Sequence, residues 1–224
     1  MVIVPWNSSI PAASASSSSL PVICEVVFVL GAPGTGKGTQ CQLLQERLLS
    51  KEDGSEQHQL WTHLSAGDLL REERKSGGSE LGELINSKIS AGELVPSSIT
   101  VKLLENAIIK SNQETHCSKF LIDGFPRGQE NMQAWESTMK HHTIKFVLNF
   151  ECPEEVLVGR LLERGKDSGR VDDNMEVIRK RFKTHQENTV PILTYFGKQH
   201  IPLHTIDSAK MVEHVYNSVE PLFL

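Results

Sequence analysis

Residues 31–39 form a glycine-rich segment, GAPGTGKGT, whose composition suits the binding of a phosphate chain. The segment directly follows residues 26–30 (VVFVL), an apolar run with the length of a buried strand. In such a strand-to-helix turn the backbone N–H groups point inward and the next helix presents its positive end. Lys37 can then reach the terminal phosphates. The segment therefore predicts a binding site for a nucleoside triphosphate.

Gly38 follows the lysine, at the position where the common phosphate-binding loop has a serine or threonine. In that common loop the hydroxyl binds Mg²⁺ directly. Here the first hydroxyl belongs to Thr39, so we expect the metal to be held less directly. Asp123, which ends a later apolar run, is suited to hold Mg²⁺ through water. The alternative for Asp123 is a helix cap for the segment that follows.

Several arginines lie where they could neutralise the phosphate oxygens of two nucleotides at once. The arginine fork binds phosphate through two hydrogen bonds and stays charged. Each of these arginines alone could be a solvated surface residue, but together they flank predicted turns and strand ends. The set comprises Arg71, Arg127, Arg160, Arg164, Arg170 and Arg181.

Acid–base groups are less prominent than cations. Asp172 and Asp173 follow Arg170 and either pair with arginines or are solvated. His63, His141 and His142 lie outside the predicted strand-end sites, so we expect them to be structural or exposed. The pattern offers a lysine and arginines without a nucleophile–base pair, which favours direct transfer of a phosphoryl group.

Four apolar runs have strand character and each precedes a helix-like segment: residues 26–30, 120–122, 144–150 and 203–206. The first of these helices is predicted over residues 39–49, and Pro126 is predicted to open another. Strands that alternate with helices predict an α/β fold, a doubly wound parallel sheet covered on both faces. Ligands bind such sheets at the carboxyl ends of the strands. Gly31, Asp123 and Asp207 fall at those ends.

Two regions depart from this alternation. Residues 65–111 read as helices only, with Ser65 as a candidate cap, and residues 165–174 form a short polar insertion between two helices. We interpret both as appendages that cover the phosphate site, since mobile covers exclude water from such sites. The polar residues 51–59 are predicted to form a loop.

Length and charge narrow the class of protein. The 224 residues suffice for one sizeable domain, and a net charge of −5 argues against nucleic acid as the main partner. No apolar run approaches the ~20 residues of a membrane span. The 4 cysteines are widely spaced, which argues against a disulfide framework and a metal site and favours a reducing compartment.

Residues 1–23 are uncharged and rich in Ser, Ala and Pro. They predict a disordered extension, with a plastid-type leader as the alternative.

The chain resembles the adenylate kinase-like family of nucleoside monophosphate kinases over about residues 24–222, and within it the UMP-CMP kinases. The motifs that carry this resemblance are GAPGTGKGTQ (31–40), HLSAGDLLREE (63–73), GELVP (92–96), FLIDGFPRGQEN (120–131), LLERGKDSGRVDDN (161–174) and IRKRF (178–182). Glycine after the lysine is the family's own pattern. The resemblance implies a P-loop three-layer fold over 24–224, with a monophosphate-binding lobe at 65–95 and a short lid at 163–173.

The resemblance also implies ATP and a pyrimidine nucleoside monophosphate as substrates, Mg²⁺ with the ATP, and a monomer. The lid is short and has no cysteine, so no zinc is expected. Neither nucleic acid nor a membrane is implied as a partner. The implied compartment is the cytoplasm, with the nucleus left open.

The site residues that the resemblance implies fall into four groups. The residues with a direct role in phosphoryl transfer are Lys37, Arg127, Arg164, Arg170 and Arg181. ATP-binding residues are Gly34, Thr35, Gly36, Lys37, Gly38, Thr39, Arg160, Arg164 and Lys210. Monophosphate-binding residues are Ser65, Ala66, Gly67, Arg71, Glu93, Leu94, Val95, Gly124, Phe125, Pro126, Arg127, Asn131, Arg170 and Arg181. Asp123 would hold the metal through water.

The base of the acceptor depends on a few positions. Related AMP kinases read Ser-Thr-Gly where this chain has Ser65-Ala66-Gly67, and Gln where it has Asn131. These differences resemble the pyrimidine-accepting branch. An amide both donates and accepts hydrogen bonds, so Asn131 could serve uracil and cytosine alike. An AMP kinase of the same fold and a switch that binds ATP without transferring its phosphate are the alternatives.

Overall fold

The structure, a computed structural model, describes residues 23–50, 58–75, 79–168 and 170–224. Apart from Ile23, the predicted extension at residues 1–23 lies outside the described residues, as does most of the predicted loop at 51–59 and one residue of the predicted lid.

The central element is a sheet of five parallel strands. In chain order its strands are β1 (Glu25–Gly31), β4 (Thr62–Ser65), β5 (Lys119–Asp123), β6 (Thr143–Glu151) and β7 (Leu203–Asp207), and they lie side by side in the order β4-β5-β1-β6-β7. A separate antiparallel pair joins β2 (Leu49–Ser50) to β3 (His58–Gln59). Because β1 lies between β5 and β6, the strand order reverses at β1, which is where such sheets bind ligands.

Helices cover both faces of the sheet. They are α1 (Lys37–Arg47), α2 (Ala66–Lys75), α3 (Glu80–Ala91), α4 (Ser97–Thr115), α5 (Gln129–Thr138), α6 (Glu154–Asp167), α7 (Met175–Thr184), α8 (Val190–Lys198) and α9 (Val212–Val219). A π-helical turn, His185–Thr189, joins α7 to α8, and a short 3₁₀ turn, Glu220–Leu222, follows α9.

Strand β1 shows how the sequence builds the two apolar layers. Side chains alternate across a strand, so Val26 and Phe28 face one layer while Val27 and Val29 face the other. The first layer contains α4, α5 and α8, and the second contains α1 and α9. The strand is buried on both faces, which explains its unbroken apolar run.

Helices α2 and α3 have a small core of their own. Leu70, Ile85 and Val95 form this cluster, separate from the two layers on the sheet. Ser79 caps α3 by accepting a hydrogen bond from the Gly82 N–H at 3.0 Å. This region is the one in which the sequence pattern shows helices alone.

The predicted α/β class with a doubly wound parallel sheet is confirmed. The pattern missed strand β4, because its four residues, THLS, include three polar side chains at the edge of the sheet. Helix α1 begins at Lys37, two residues before the predicted start, and α5 begins at Gln129, not at Pro126. Within the described ranges no helix is both long and apolar enough to cross a bilayer.

Candidate active site

The glycine-rich loop between β1 and α1 provides a cradle for an anion. Gly34 and Gly36 have φ values of 89° and 83°, which side chains other than glycine rarely adopt. A Cβ on Gly34 would also lie 3.1 Å from the Leu157 carbonyl oxygen. Gly36 caps α1 without a side chain, so the first N–H groups of the helix stay available for phosphate. Of the predicted ATP-binding residues, Gly34, Thr35 and Gly36 form the loop, and Lys37, Gly38 and Thr39 form the first turn of α1.

Lys37 lies folded over this loop. Its Nζ donates to the carbonyl oxygens of Gly31 and Ala32, both at 2.9 Å, and to Thr35 Oγ1 at 3.2 Å. Desolvation lowers the pKa of Lys37 to about 8, with Arg127 and Arg181 acting in the same direction and Asp123 against them. A bound phosphate would compensate the desolvation of the Lys37 ammonium group, so this position of the lysine favours the binding of an anion.

Asp123 ends β5 beside the loop. Its Oδ2 lies 3.4 Å from the point where a Cβ on Gly38 would sit, and 3.6 Å from His63 Nε2. The interpretation of Asp123 as a helix cap is wrong, because α5 begins only at Gln129 behind Gly128. The prediction that His63 lies outside the strand-end sites is also wrong, since β4 pairs with β5 and places this histidine beside Asp123.

A cavity next to Lys37 gathers most of the predicted monophosphate-binding residues. It lies between the strand ends, the α2–α3 region, and helix α7 with the π turn. Predicted residues that line it are Lys37, Ala66, Gly67, Arg71, Glu93, Leu94, Val95, Gly124, Phe125, Pro126, Arg127, Asn131 and Arg181. Ser65 and Arg170 are not among its lining residues. Ser65 instead accepts a hydrogen bond from the Asp68 N–H at 3.2 Å, which confirms it as a cap.

Arg71 and Arg170 share one carboxylate. Arg71 donates to Asp68 Oδ1 from Nη2 at 2.6 Å and from Nε at 3.1 Å, and Arg170 Nη2 lies 3.6 Å from the same oxygen. Burial alone would raise the pKa of Asp68, but the bond from Arg71 and the charges of both arginines outweigh it and lower that pKa. Arg170 therefore lies at the rim of the cavity, beside Arg71.

Arg127 is held by backbone atoms. Its Nε donates to the Gly124 carbonyl at 2.8 Å, and its own carbonyl accepts from Thr189 Oγ1 at 3.0 Å. Desolvation in the cleft, with the charges of Arg181 and Arg71, lowers the pKa of Arg127. The guanidinium stays charged, and an anion between these arginines would relieve their mutual repulsion.

Asn131 already has two partners within the protein. Its Oδ1 accepts from the Arg127 N–H at 2.8 Å, and its Nδ2 donates to Ser97 Oγ at 2.7 Å. An amide has two donor hydrogens and two acceptor lone pairs, so one of each is left for the cavity. Besides the predicted contact with the base, Asn131 therefore holds the backbone of Arg127.

Arg164, Arg181 and two acidic residues form a network at the connection between α6 and α7. Arg164 donates to Asp173 from Nε at 2.6 Å and from Nη2 at 2.7 Å. Arg181 Nη1 lies 2.9 Å from Asp173 Oδ1 and 2.8 Å from Asp172 Oδ2. Both carboxylates are buried and paired, so the alternative that they are solvated is wrong.

Arg160 and Lys210 meet at the loop that follows β7. Arg160 donates from Nη1 to the Ser208 carbonyl at 2.9 Å and from Nη2 to the Ala209 carbonyl at 3.4 Å. Lys210 Nζ lies 3.6 Å from Asp207 Oδ2 at the end of β7. These two predicted ATP-binding residues therefore lie at the same loop. Within α6, Arg160 precedes Arg164 by one helical turn.

Asp68, His185 and Thr189 are among the residues in or beside the cavity that sequence reasoning missed. His185 follows Arg181 by four residues, one helical turn, and that spacing was the signal that could have identified it. Among the predicted structural histidines, His142 lies away from the cavity and accepts from the Cys24 N–H at 3.3 Å.

Comparison with known proteins agrees with this geometry. The family model described as adenylate kinase matches residues 29–201. The chain belongs to the adenylate kinase family. Family membership and the relatives together make it a nucleoside monophosphate kinase.

Three relatives show how far the similarity extends. The chain is 45% identical to the UMP-CMP kinase of Gallus gallus over 200 residues, which cover 88% of this chain and 96% of that one. It is 46% identical to the UMP-CMP kinase of Danio rerio over 200 residues, covering 88% and 95%. It is 48% identical to UMP-CMP kinase 3 of Arabidopsis thaliana over 201 residues, covering 88% of each. This member of the family is thus similar to these relatives over almost their whole length.

Proposed function

We propose that the chain transfers the γ-phosphoryl group of MgATP to UMP or CMP, giving ADP and UDP or CDP. One observation carries this proposal: the glycine-rich cradle and the arginine-lined cavity meet at Lys37. A donor phosphate chain in the cradle and an acceptor phosphate on Arg71 and Arg127 would then be adjacent. In-line transfer needs this positioning and charge neutralisation but no covalent intermediate on the enzyme.

The chain's own residues supply the positioning. Lys37 would leave its loop carbonyls for the migrating phosphoryl group, and Arg127, fixed by Gly124 and Thr189, would hold the acceptor phosphate. Arg164 and Arg181 would exchange Asp173 for phosphate oxygens as the α6–α7 connection closes. Stabilisation of developing charge by such preorganised donors is the main catalytic contribution in phosphoryl transfer.

The residues present suit a magnesium ion that arrives with ATP. Asp123 combines a largely buried carboxylate with a position beside Gly38, at the start of the phosphate-binding helix. Carboxylates are preferred Mg²⁺ ligands, and the ion usually keeps several waters. Asp123 would hold it through such water. When bound, Mg²⁺ would neutralise charge on the ATP phosphates.

The choice of pyrimidine rests on the relatives' names and on the cavity. The relatives above are named UMP-CMP kinases. Asn131, Thr100 and Val95 line the cavity, and Asn131 keeps one donor and one acceptor free. That pair suits the uracil edge and the cytosine edge alike.

The decisive experiment measures UDP formed from ATP and UMP, with initial rates for UMP, CMP and AMP compared at equal ATP. We expect UMP and CMP to be used much faster than AMP. A clear preference for AMP would support the AMP kinase alternative. Folded protein that binds ATP and forms no diphosphate from any of the three would support the switch.

A further inference from the structure

His185 begins the π-helical turn between α7 and α8, one helical turn after Arg181. π turns are rare and occur frequently at functional sites, because the inserted residue changes which side chains face inward. Here the turn brings Thr189 to the Arg127 carbonyl at 3.0 Å and puts His185 into the wall of the acceptor cavity.

The imidazole has an unused nitrogen. His185 Nε2 is buried, and no hydrogen-bond partner for it exists among the residues that the structure describes. A buried polar atom without a partner is costly, so native proteins rarely keep one without a reason. A ligand that supplies the missing partner is such a reason.

The surroundings of His185 point to an anionic ligand. Desolvation, together with the positive charges of Lys37 and Arg127, lowers the pKa of His185 to about 4. The ring is therefore neutral at physiological pH and carries one N–H. A phosphate bound between Lys37 and Arg127 would offset these positive charges and accept a hydrogen bond from Nε2, which favours the tautomer with its proton on that nitrogen.

We propose that His185 Nε2 donates a hydrogen bond to a phosphate oxygen at the junction of the donor and acceptor nucleotides. This inference rests on the proposed function, since that junction exists only in an enzyme that binds both. A neutral donor adds a hydrogen bond there without another charge next to Lys37, Arg127 and Arg181. His185 thereby contributes to binding when both phosphate chains are present.

The test compares two substitutions with a matched control. His185→Phe keeps a flat side chain and removes the donor, whereas His185→Gln keeps a nitrogen donor at a similar reach. Glu187→Gln changes an exposed residue of the same π turn whose carboxylate lies 3.7 Å from Lys183 Nζ. For each variant the affinity for the bisubstrate analogue adenosine-(5′)-pentaphospho-(5′)-uridine is measured by calorimetry, with the thermal midpoint as a check on folding.

We expect His185→Phe to weaken analogue binding about tenfold, as loss of one hydrogen bond to a charged group predicts. His185→Gln should recover most of that loss, and Glu187→Gln should bind like the wild type. Wild-type affinity in folded His185→Phe would overturn the inference. Equal weakening in both His185 variants, in proportion to a lowered thermal midpoint, would show a structural role and overturn it as well.

A second measurement covers the case in which His185→Phe does not fold. Two-bond ¹H–¹⁵N spectra of the wild type, with the His185 signals assigned from the Gln variant, report which ring nitrogen is protonated. With the analogue bound, Nε2 should give a signal in the protonated range, and an unprotonated Nε2 in that complex would refute the contact. Failure of the proposed function is distinct, since wild-type protein would then form no UDP.

Discussion

Arg164 donates two hydrogen bonds to Asp173, from Nε at 2.6 Å and from Nη2 at 2.7 Å. The same carboxylate also accepts from Arg181 at 2.9 Å. The Asp173 side chain is fully buried, and in the protein without nucleotide it satisfies two guanidinium groups that would otherwise repel each other. In the proposed function, phosphate oxygens would replace this carboxylate between the two arginines.

Asp173→Asn should destabilise the protein without nucleotide. We expect a loss of about 2 kcal/mol in the free energy of unfolding at pH 7, because two arginines lose a shared buried charge. Burial would raise the pKa of Asp173, but the bonds from Arg164 and Arg181 outweigh it, so its folded pKa is lowered. The stabilisation is therefore complete above the unfolded value of about 3.9 and is lost as the pH falls through the folded pKa.

Urea unfolding of both proteins between pH 2 and pH 7 checks this prediction. The difference in the free energy of unfolding between wild type and Asp173→Asn should be constant above about pH 5 and should disappear in acid. Asp167→Asn, at an exposed position three residues after Arg164, serves as the control and should match the wild type. A gap that persists unchanged in acid would contradict the charge-based explanation.

Two glycines of α6 provide a matched pair of substitutions that tests how closely this helix packs against the connection to α7. A Cβ on Gly165 would lie 2.8 Å from the Asp173 carbonyl oxygen, a backbone atom, whereas a Cβ on Gly159 would meet nothing within 4 Å. Gly165→Ala should therefore displace the Arg164–Asp173 contact and lower stability by about 1–3 kcal/mol. Gly159→Ala should raise stability by about 0.5–1 kcal/mol, because alanine favours helix.

Thermal unfolding and initial rates of UDP formation measure the two effects of the glycine pair. The Gly165 variant should also lose turnover, because Arg164 and Arg181 then start from altered positions. Equal thermal midpoints for the two alanine variants would show that the close approach at Gly165 is readily relieved.

The parallel sheet and the phosphate-binding loop were predictable because their signals are local. Apolar runs at β1, β5, β6 and β7, and the glycines around Lys37, encode their conformation within a few residues. Strand β4 was missed because Leu64 is its one apolar residue, and its pairing with β5 is a long-range contact.

The cationic residues of the cavity could be predicted from the sequence, but the choice among their possible carboxylate partners could not. Arg71, Arg127 and Arg181 could be identified from motifs, whereas the carboxylates that hold two of them, Asp68 and Asp173, depend on side-chain directions in the folded chain. The proximity of His63 to Asp123 depends on the register of β4 against β5. The π turn His185–Thr189 itself contains neither proline nor glycine, and Pro191 comes only after it, in the first turn of α8.

Lys37 should make ATP binding dependent on pH. Its pKa of about 8 without nucleotide would rise toward the ordinary value of about 10.4 when phosphates replace its carbonyl partners. Binding above pH 8 therefore takes up a proton, so the affinity for ATP should fall as the pH rises from 8 to 10. Calorimetry in buffers of different ionisation enthalpy would detect the proton directly.

Lys37→Arg is the control for that measurement, since arginine stays protonated over the same range. The variant is expected to bind ATP more weakly, with an affinity that changes little between pH 8 and pH 10. If wild type and variant lose affinity in parallel, another group is responsible and the assignment of the pKa to Lys37 is wrong.

Asn131→Asp should change the preference between the two pyrimidines. The carboxylate can still accept from the Arg127 N–H and from Ser97 Oγ, but it replaces the free amide N–H with a lone pair. The 4-amino group of cytosine donates a hydrogen bond, and the 4-oxo group of a thymine-like base accepts one. The ratio of kcat/KM for CMP to that for UMP should therefore rise by about tenfold, as expected for one mismatched hydrogen bond.

Ser97→Ala is the control for this prediction. It removes the partner of Asn131 but keeps the amide, so the ratio of kcat/KM for CMP to that for UMP should stay at the wild-type value. Equal losses for CMP and UMP in Asn131→Asp would mean that Asn131 acts only by positioning Arg127.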